Sequence, residues 1–584
     1  MQSHRRAPDN ALPSATATNP TSPVISGLFL VLTAVTLYSL AHAGMRLAIS
    51  PVLGEDDVME AIFAQQWQVA YDMCPRQPPL YNWVIYYVQQ IMGPGLASYL
   101  VVKYAALIIT AACLYLAAYQ ALQNRLFALL SVEALALIYQ IAWRYHEGFT
   151  HEVLAMALTM ATVATVFYMA SAQSHSVSVQ ATLSTVDMVR TEDIRSDVQG
   201  ATSAQTWLAF IGLGVLLGLG LLTEPTFAVF FACLAFAIAS EPRLRSSLLR
   251  PPLALSLVIA LLMAAPYLLW IISEPARVGA WSRLIQPDLI ATLDNALAAL
   301  RGPFAYLFPL ILIMPLVFPG FIRRAGADVL LACRFGSFST HHPPDPALSI
   351  ATGATAKIKP TISPDRLPSA LELLSLRIGL FAFISSLAGA FALGISAPAV
   401  HVLMPLYLPM VIWLFGAAKR AQATPLTITR FTRIAVAIAA VAFVARAANL
   451  VVLDPVCKTC RWGIPYAALA DELRSLGVRD DATILTVSKE LAGNLRVEFP
   501  NASIVSRLYP TFTPATARPV GSDTVFIWPA NHKKLPVAHI RKALQPELPA
   551  NRSFDDAREI TVGWSHFWRV EGYRTTTWRV LLPD

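Results

Sequence analysis

Long apolar runs separated by short polar segments dominate the chain up to about residue 452. A helix needs about 20 apolar residues to cross a bilayer, and runs of roughly this length recur about eleven times. Because lipid offers no partners to free backbone groups, we predict an all-α polytopic membrane domain over 26–452. The predicted spans are 26–48, 97–119, 125–142, 150–171, 206–222, 224–241, 253–274, 303–321, 373–395, 398–418 and 431–452.

The pattern changes after Leu453, where short β-rich runs alternate with polar turns. The runs read "DATILTVS", "ASIVSRLY", "DTVFIWP" and "TTWRVLLP", and "YAALADELRSLG" has the spacing of a helix that ends at Gly477. This alternation predicts a small α/β domain over 453–584.

The positions of Lys and Arg in short loops predict the orientation of the chain. If the tail 1–25 is cytoplasmic, four basic clusters fall on the cytoplasmic side. An odd number of spans then places the C-terminal α/β domain and the loop 49–96 outside. The clusters are Arg5 and Arg6; Arg243, Arg245 and Arg250; Arg323 and Arg324; and Lys419, Arg420, Arg430 and Arg433.

Composition agrees with a membrane protein, because 55% of the residues are hydrophobic and only 14% are charged, against roughly 25% charged in soluble proteins. The net charge of +8 comes from these scattered loops, so we predict membrane lipids and no nucleic acid as partners. Six cysteines are too few for a disulfide scaffold. Outside the cytoplasm, Cys457 and Cys460 are predicted to form a local disulfide, since a zinc site would need two further ligands.

Four acidic residues crowd the start of the external loop: Glu55, Asp56, Asp57 and Glu60. Asp56 and Glu60 are four apart and would share one face of a helix. The spacing predicts short helices at about 56–70 and 79–93, on either side of "QPPLYNW" (77–83). Solvated loop charges are the alternative interpretation.

Several segments resemble the GT-C glycosyltransferases, in particular the bacterial group of aminoarabinose transferases, lipopolysaccharide core galacturonosyltransferases and protein O-mannosyltransferases. Asp56-Asp57 followed by "QPPLYNW" is similar to the first external loop of that group. "FTHEVLAMAL", "GLGLLTEPTFAVF" and "HVLMPLYLP" resemble later segments in family order. The resemblance covers roughly 40–420 and implies a GT-C-like membrane domain.

The resemblance implies transfer of a sugar from a polyprenyl-phosphate donor to a glycan or lipid acceptor at the outer face of a bacterial cytoplasmic membrane. Asp56 matches the family's catalytic aspartate, and Asp57 stands where a Glu is usual. Carboxylates this close raise one another's pKa, which suits a base, or jointly bind Mg or Mn. Both roles stay open, with no other cofactor expected.

The donor phosphate that the resemblance implies needs positive charge, and here the chain departs from the pattern of the group that it resembles. It has Gln77, Glu224 and His401 where many members of that group have Lys or Arg. The expected substitutes are Arg76, Arg144 and His401, although the two arginines could instead contact lipid headgroups. The predicted substrate contacts are Glu60, Arg76, Gln77, Tyr81, Arg144, His151, Glu224 and His401.

Two other function classes remain open at this point. A lipid-linked sugar transporter or flippase would place charged groups at mid-membrane and often shows internal repeats. A non-catalytic membrane scaffold would use the C-terminal domain to bind a partner. The sequence leaves open whether the sugar is a hexose, a pentose or a uronic acid.

Overall fold

The computed structural model describes most of the chain, and every statement below concerns that part. It covers 22–54, 56–72, 77–183, 192–282, 285, 288–334, 367–396, 398–453, 457, 460–518, 524–530, 537–548, 552–564 and 574–582, with the backbone alone for 22, 173–183, 192–204, 289 and 537.

The membrane domain is built from helices, as its apolar runs predict. They are α1 (Ser22–Ile49), α2 (Asp57–Phe63), α3 (Leu80–Met92), α4 (Leu96–Leu122), α5 (Arg125–Glu133), α6 (Tyr139–Ala142), α7 (His151–Leu183), α8 (Glu192–Leu221), α9 (Pro225–Ala239), α10 (Pro242–Leu248), α11 (Pro252–Ile272), α12 (Pro275–Ser282), α13 (Leu289–Leu307), α14 (Leu310–Val317), α15 (Phe321–Ala332), α16 (Ala370–Leu393), α17 (Met404–Tyr407), α18 (Met410–Arg420) and α19 (Pro425–Ala448).

Six helices in the described residues are long and apolar enough to cross a membrane, and the count reaches nine if three bent pairs are each one span. The bent pairs turn by 111° between α9 and α10, by 118° between α14 and α15, and by 60° ahead of α18. The chain is therefore a multi-pass membrane protein. The predicted count of about eleven spans, with an uncertainty of about two, is not confirmed by these helices.

The predicted span 125–142 is not one continuous helix. Helix α5 ends at Glu133, a 3-10 turn follows, and α6 has only four residues. Ile138 leaves the helical conformation to pair with Pro309, and the Tyr139 amide donates to the Phe308 carbonyl at 2.9 Å. The composition was apolar enough for a span, but this tertiary pairing breaks the helix.

The two short helices of the external loop are present, and the first is shorter than predicted. Helix α3 matches the prediction of 79–93, whereas α2 ends at Phe63 rather than near residue 70. Beyond it, the Gln65 amide exchanges two hydrogen bonds with the backbone of Ile504, at 2.8 and 2.9 Å. This distant contact stops the helix, and no local pattern shows it.

Residues after 460 form a five-stranded mixed sheet with helices beside it. The strand order is β2-β1-β3-β5-β4, in which β1 is parallel to β2 and β3, and β5 is antiparallel to β3 and β4. Each of the four predicted β-rich runs contains a strand, and β4 was not predicted. The elements are α20 (Tyr466–Ser475), β1 (Thr483–Thr486), α21 (Lys489–Glu498), β2 (Ser503–Ser506), β3 (Thr524–Pro529), α22 (Val537–Leu544), β4 (Arg558–Gly563) and β5 (Thr575–Leu581).

Candidate active site

The two aspartates at the head of α2 differ in their surroundings. Asp56 is the half-buried N-cap residue of α2, and Asp57 is its buried first residue. The Glu60 amide donates to the Asp56 carbonyl at 3.1 Å, so Glu60 lies one turn further on the same helix. The predicted common face of Asp56 and Glu60 is thus formed.

Asp57 is held by a buried lysine on α4. Its Oδ2 lies 3.6 Å from Nζ of Lys103 on α4, and the two side chains are only 3% and 1% exposed. Burial raises the pKa of Asp57, while Lys103 acts in the opposite direction. This ion pair fixes the head of α2 against α4 and leaves Asp56 as the more accessible acid.

Glu60 joins three elements. Its Oε1 lies 3.2 Å from Nε2 of His151 at the start of α7, and its Oε2 accepts a hydrogen bond from the Asn82 amide on α3. The Tyr81 ring lies 5.4 Å from the His151 ring. Within the described structure, the buried Tyr81 hydroxyl and His151 Nδ1 have no hydrogen-bond partner. They are polar groups that a bound substrate could satisfy.

Carboxylates surround Asp56 and set its acidity. Burial raises the pKa of Asp56 to about 6, with Glu152, Glu60 and Asp57 adding to the rise and Lys489 opposing it. Glu224 belongs to the same group, because burial, then Glu152, and more weakly Asp56, raise its pKa to about 8. A half-exposed acid whose pKa is raised in this way is suited to accept a proton near neutral pH.

The remaining predicted residues take different positions. His401 Nε2 lies 3.4 Å from Glu152, and the His401 ring stacks on Phe149 at 5.2 Å between ring centres. His401 therefore contacts the cluster of acidic residues around Asp56 by way of Glu152. Arg144 instead pairs with Glu147 at 3.2 Å. Arg76 lies outside the described residues.

Gln77 is half-buried just ahead of α3. The first amide of that helix, from Leu80, donates to the Leu222 carbonyl at 2.9 Å. Residue 222 is two positions before Glu224, so the "QPPLYNW" segment lies against the turn that carries Glu224. The structure thus brings together two of the segments that resemble the GT-C glycosyltransferases.

A divalent metal held by Asp56 and Asp57 does not fit this donor set. Asp57 faces Lys103, whose ammonium group would oppose a cation. No group of three or more His, Cys, Asp or Glu side chains suitable for a metal occurs in the described part of the chain.

Three residues of the candidate site were not predicted from the sequence: Lys103, Glu152 and Lys489. A lone lysine inside the apolar run "VVKYAAL" was an available signal, because ionisable groups within membrane spans are rare and usually functional. Glu152 adjoins His151 in the quoted motif. Nothing in the sequence places Lys489 near Asp56, since 433 positions separate them along the chain.

The sheet-containing unit packs directly on the acidic helix. The Leu53 amide donates to Asn494 Oδ1 at 2.8 Å, and Asn494 Nδ2 donates to the Leu53 carbonyl at 3.2 Å. A Cβ atom at Gly493 would lie 2.6 Å from the Cα of Val58. Helix α21 therefore approaches α2 at backbone distance, which only glycine permits.

The Cys457–Cys460 disulfide lies close to a second contact between these parts. Trp462 follows it, and the Arg46 guanidinium lies 4.4 Å from the centre of the Trp462 ring. Ser50 Oγ donates to the Trp462 carbonyl at 2.5 Å. These contacts join the end of α1 to the chain that follows the disulfide.

We expect Gly493→Leu to reduce the stability of the protein. The added side chain must push α21 away from Val58, and overpacking of this kind costs about 1–3 kcal/mol. Thermal unfolding of the purified protein in detergent measures the effect. Gly326→Ala is the matched control, because a Cβ there meets nothing within 4 Å. Equal melting temperatures for Gly493→Leu and the unchanged chain would contradict the packing.

Comparisons with known proteins show what the chain is similar to. No protein-family model matches the chain. The chain is 29% identical to the lipopolysaccharide core galacturonosyltransferase RgtB of Rhizobium johnstonii over 247 residues. The aligned region covers 42% of this chain and 42% of RgtB. The chain thus matches about two fifths of the relative's length.

The structural likeness extends further than the sequence likeness. The crystal structure of ArnT from Cupriavidus metallidurans bound to undecaprenyl phosphate superposes with a TM-score of 0.52 at 12% identity, over 96% of this chain and 98% of that one. This similarity confirms the fold expected from the external-loop motifs. The chain is a multi-pass membrane protein with the fold of the GT-C glycosyltransferases.

Proposed function

We propose that this protein is a glycosyltransferase that moves a sugar from a polyprenyl-phosphate donor to an envelope glycan or lipid. The observation that carries the proposal is Asp56, a half-exposed carboxylate with a pKa of about 6 at the centre of a buried acidic group. The likeness to RgtB, named for transfer to lipopolysaccharide core, and to ArnT, seen with undecaprenyl phosphate, supports the same reaction class.

In the proposed reaction, Asp56 takes the proton of an acceptor hydroxyl. The hydroxyl oxygen forms a bond to the anomeric carbon of the donor sugar, and the bond from that carbon to the phosphate oxygen breaks. The electron pair leaves with the polyprenyl phosphate, which is released as the anion. Asp57 acts as a positioning residue, because Lys103 fixes it and with it the head of α2.

Further residues are assigned by their place around Asp56. Glu60, His151 and Tyr81 line one side, with the unpartnered Tyr81 hydroxyl and His151 Nδ1 available to sugar hydroxyls. Glu224 belongs to the cluster of acidic residues around Asp56, and His401 pairs with Glu152 in that cluster. Contacts of Gln77, Arg76 and Arg144 with the donor remain predictions.

The proposed setting is the outer face of a bacterial cytoplasmic membrane. The tail 1–25 would lie in the cytoplasm, and the loop 49–96 and the 453–584 unit in the periplasm. The packing of α21 on α2 supports placing the last two on the same side, because Asn494 and Leu53 are hydrogen-bonded.

We expect the transfer rate to fall as the pH is lowered through about 6. Asp56 acts as a base only when deprotonated, and its raised pKa means that half of it is protonated at pH 6 and roughly nine-tenths at pH 5. The pH dependence of kcat/KM measures this directly. A rate unchanged between about pH 5 and pH 8 would contradict the assignment of Asp56.

The proposed function is tested with purified protein, lipid-linked sugars and a panel of envelope acceptors. Polyprenyl-phosphate donors carrying a hexose, a pentose or a uronic acid are offered in turn, and release of polyprenyl phosphate and labelling of the acceptor are followed. Equal amounts of released carrier and labelled acceptor support transfer. Movement of the intact donor across reconstituted vesicles without any transfer would instead identify a flippase.

A further inference from the structure

Among the described residues, the surroundings of Asp56 are rich in carboxylates and poor in basic groups that could face a donor phosphate. Asp57, Glu60, Glu152 and Glu224 lie near Asp56. In the described structure, the basic groups that act on this cluster from the membrane domain are already engaged. Arg46, which lowers the pKa of Asp57, donates to the backbone carbonyls of Ser50 and Val52 and stacks on Trp462. Lys103 faces Asp57, His151 faces Glu60, and His401 faces Glu152.

One further ammonium group, that of Lys489, approaches the acidic residues around Asp56 from the sheet-containing C-terminal unit. Lys489 is the first residue of α21 and is half-buried. Gly493 lies four residues later, so the two share a face of the helix. Because Gly493 approaches the backbone of Val58, the face that carries Lys489 is turned toward the head of α2.

The orientation of this helix end is fixed by local contacts. Ser488 caps α21 by accepting from the Leu491 amide at 3.3 Å, and Asn494 holds the helix to Leu53. Glu490, beside Lys489, pairs with Arg461 at 3.9 Å. No carboxylate lies within ion-pair distance of Lys489 in the described residues, yet its charge acts on Asp56 and lowers the pKa of that acid.

We propose that Lys489 binds the phosphate of the lipid-linked donor, so that the C-terminal unit completes the active site. This inference rests on the proposed function and adds a substrate-binding residue to it. An ammonium group beside the base neutralises charge on the leaving phosphate and offsets the repulsion of five nearby carboxylates. It also supplies a positive charge that neither Gln77 nor Glu224 can bring.

The test is binding of undecaprenyl phosphate to the purified full-length protein in detergent. We expect Lys489→Gln to weaken binding by at least about tenfold, as loss of a charge-assisted contact does, and Lys489→Glu to weaken it further. Lys489→Arg should retain most of the affinity. Arg479→Gln is the matched control, since Arg479 is 68% exposed and pairs with Asp481. In turnover, KM for the donor should rise in Lys489→Gln while KM for the acceptor stays the same.

The outcomes separate this inference from the proposed function. Wild-type affinity in either Lys489→Gln or Lys489→Glu, with the unchanged chain binding undecaprenyl phosphate, would overturn the role of Lys489 and leave the transferase in place. Failure of the unchanged chain to bind undecaprenyl phosphate would overturn both. Size-exclusion profiles identify any misfolded variant. If the Gln and Glu variants misfold, Lys489→Arg decides the question. Retained affinity for undecaprenyl phosphate supports a charge contact, and loss of affinity in a folded Lys489→Arg variant overturns the role of Lys489.

Discussion

Asp56→Asn is expected to lower the rate of sugar transfer by about 10²–10⁴-fold, the usual contribution of a positioned general base. The amide has nearly the same shape as the carboxylate but cannot accept a proton. Because Asp56 is a half-buried N-cap whose side chain makes no cap hydrogen bond, the change should leave α2 in place. Initial rates with purified protein at a fixed donor concentration measure the loss.

Asp471→Asn is the control for this change, since Asp471 lies on α20, is 77% exposed and pairs with Arg474. It should transfer sugar at the unchanged rate. Undecaprenyl phosphate binding by Asp56→Asn should also be retained, which separates loss of the base from loss of the fold. Full activity in Asp56→Asn would show that another group takes the acceptor proton.

Lys103→Met is expected to destabilise the protein by about 3–5 kcal/mol, because it leaves the buried Asp57 carboxylate without its partner. The pair lies between α2 and α4, so the head of α2 should detach and transfer activity should fall with stability. Denaturation of the purified protein in mixed detergent measures the change in the free energy of unfolding.

The double variant Asp57→Asn with Lys103→Met provides the matched comparison. Removing both charges avoids the isolated buried ion, so we expect most of the lost stability to return. Transfer activity should recover less completely, because the contact that positions α2 is still missing. A single Lys103→Met variant as stable as the unchanged chain would mean that the ion pair does not hold this helix.

Local patterns predicted the parts of the fold that local forces determine. Apolar runs marked α1, α4 and α7 because burial in lipid requires about 20 such residues in each. The broken span at 125–142 and the early end of α2 depend on contacts with Pro309 and Ile504. These partners lie far along the chain, so the local hydrophobic periodicity cannot predict the contacts.

The candidate site shows the same division. Asp56 and Glu60 were placed on one helical face by their spacing, and the motif resemblance brought His151 and Glu224 to the same site. The pairing of Asp57 with Lys103 was missed, although an isolated lysine in an apolar span was a visible signal. Lys489 could not be found in this way, since only the packing of α21 on α2 places it.

The most direct test of the central claim compares envelope glycans by mass spectrometry in the organism that carries this protein. The strains are a deletion, the deletion rescued with the unchanged chain, and the deletion rescued with Asp56→Asn present in the membrane at equal level. We predict that one sugar is missing from the deletion and from the Asp56→Asn rescue, and is restored by the unchanged chain. Full restoration by Asp56→Asn would contradict the assignment of Asp56 as the catalytic base.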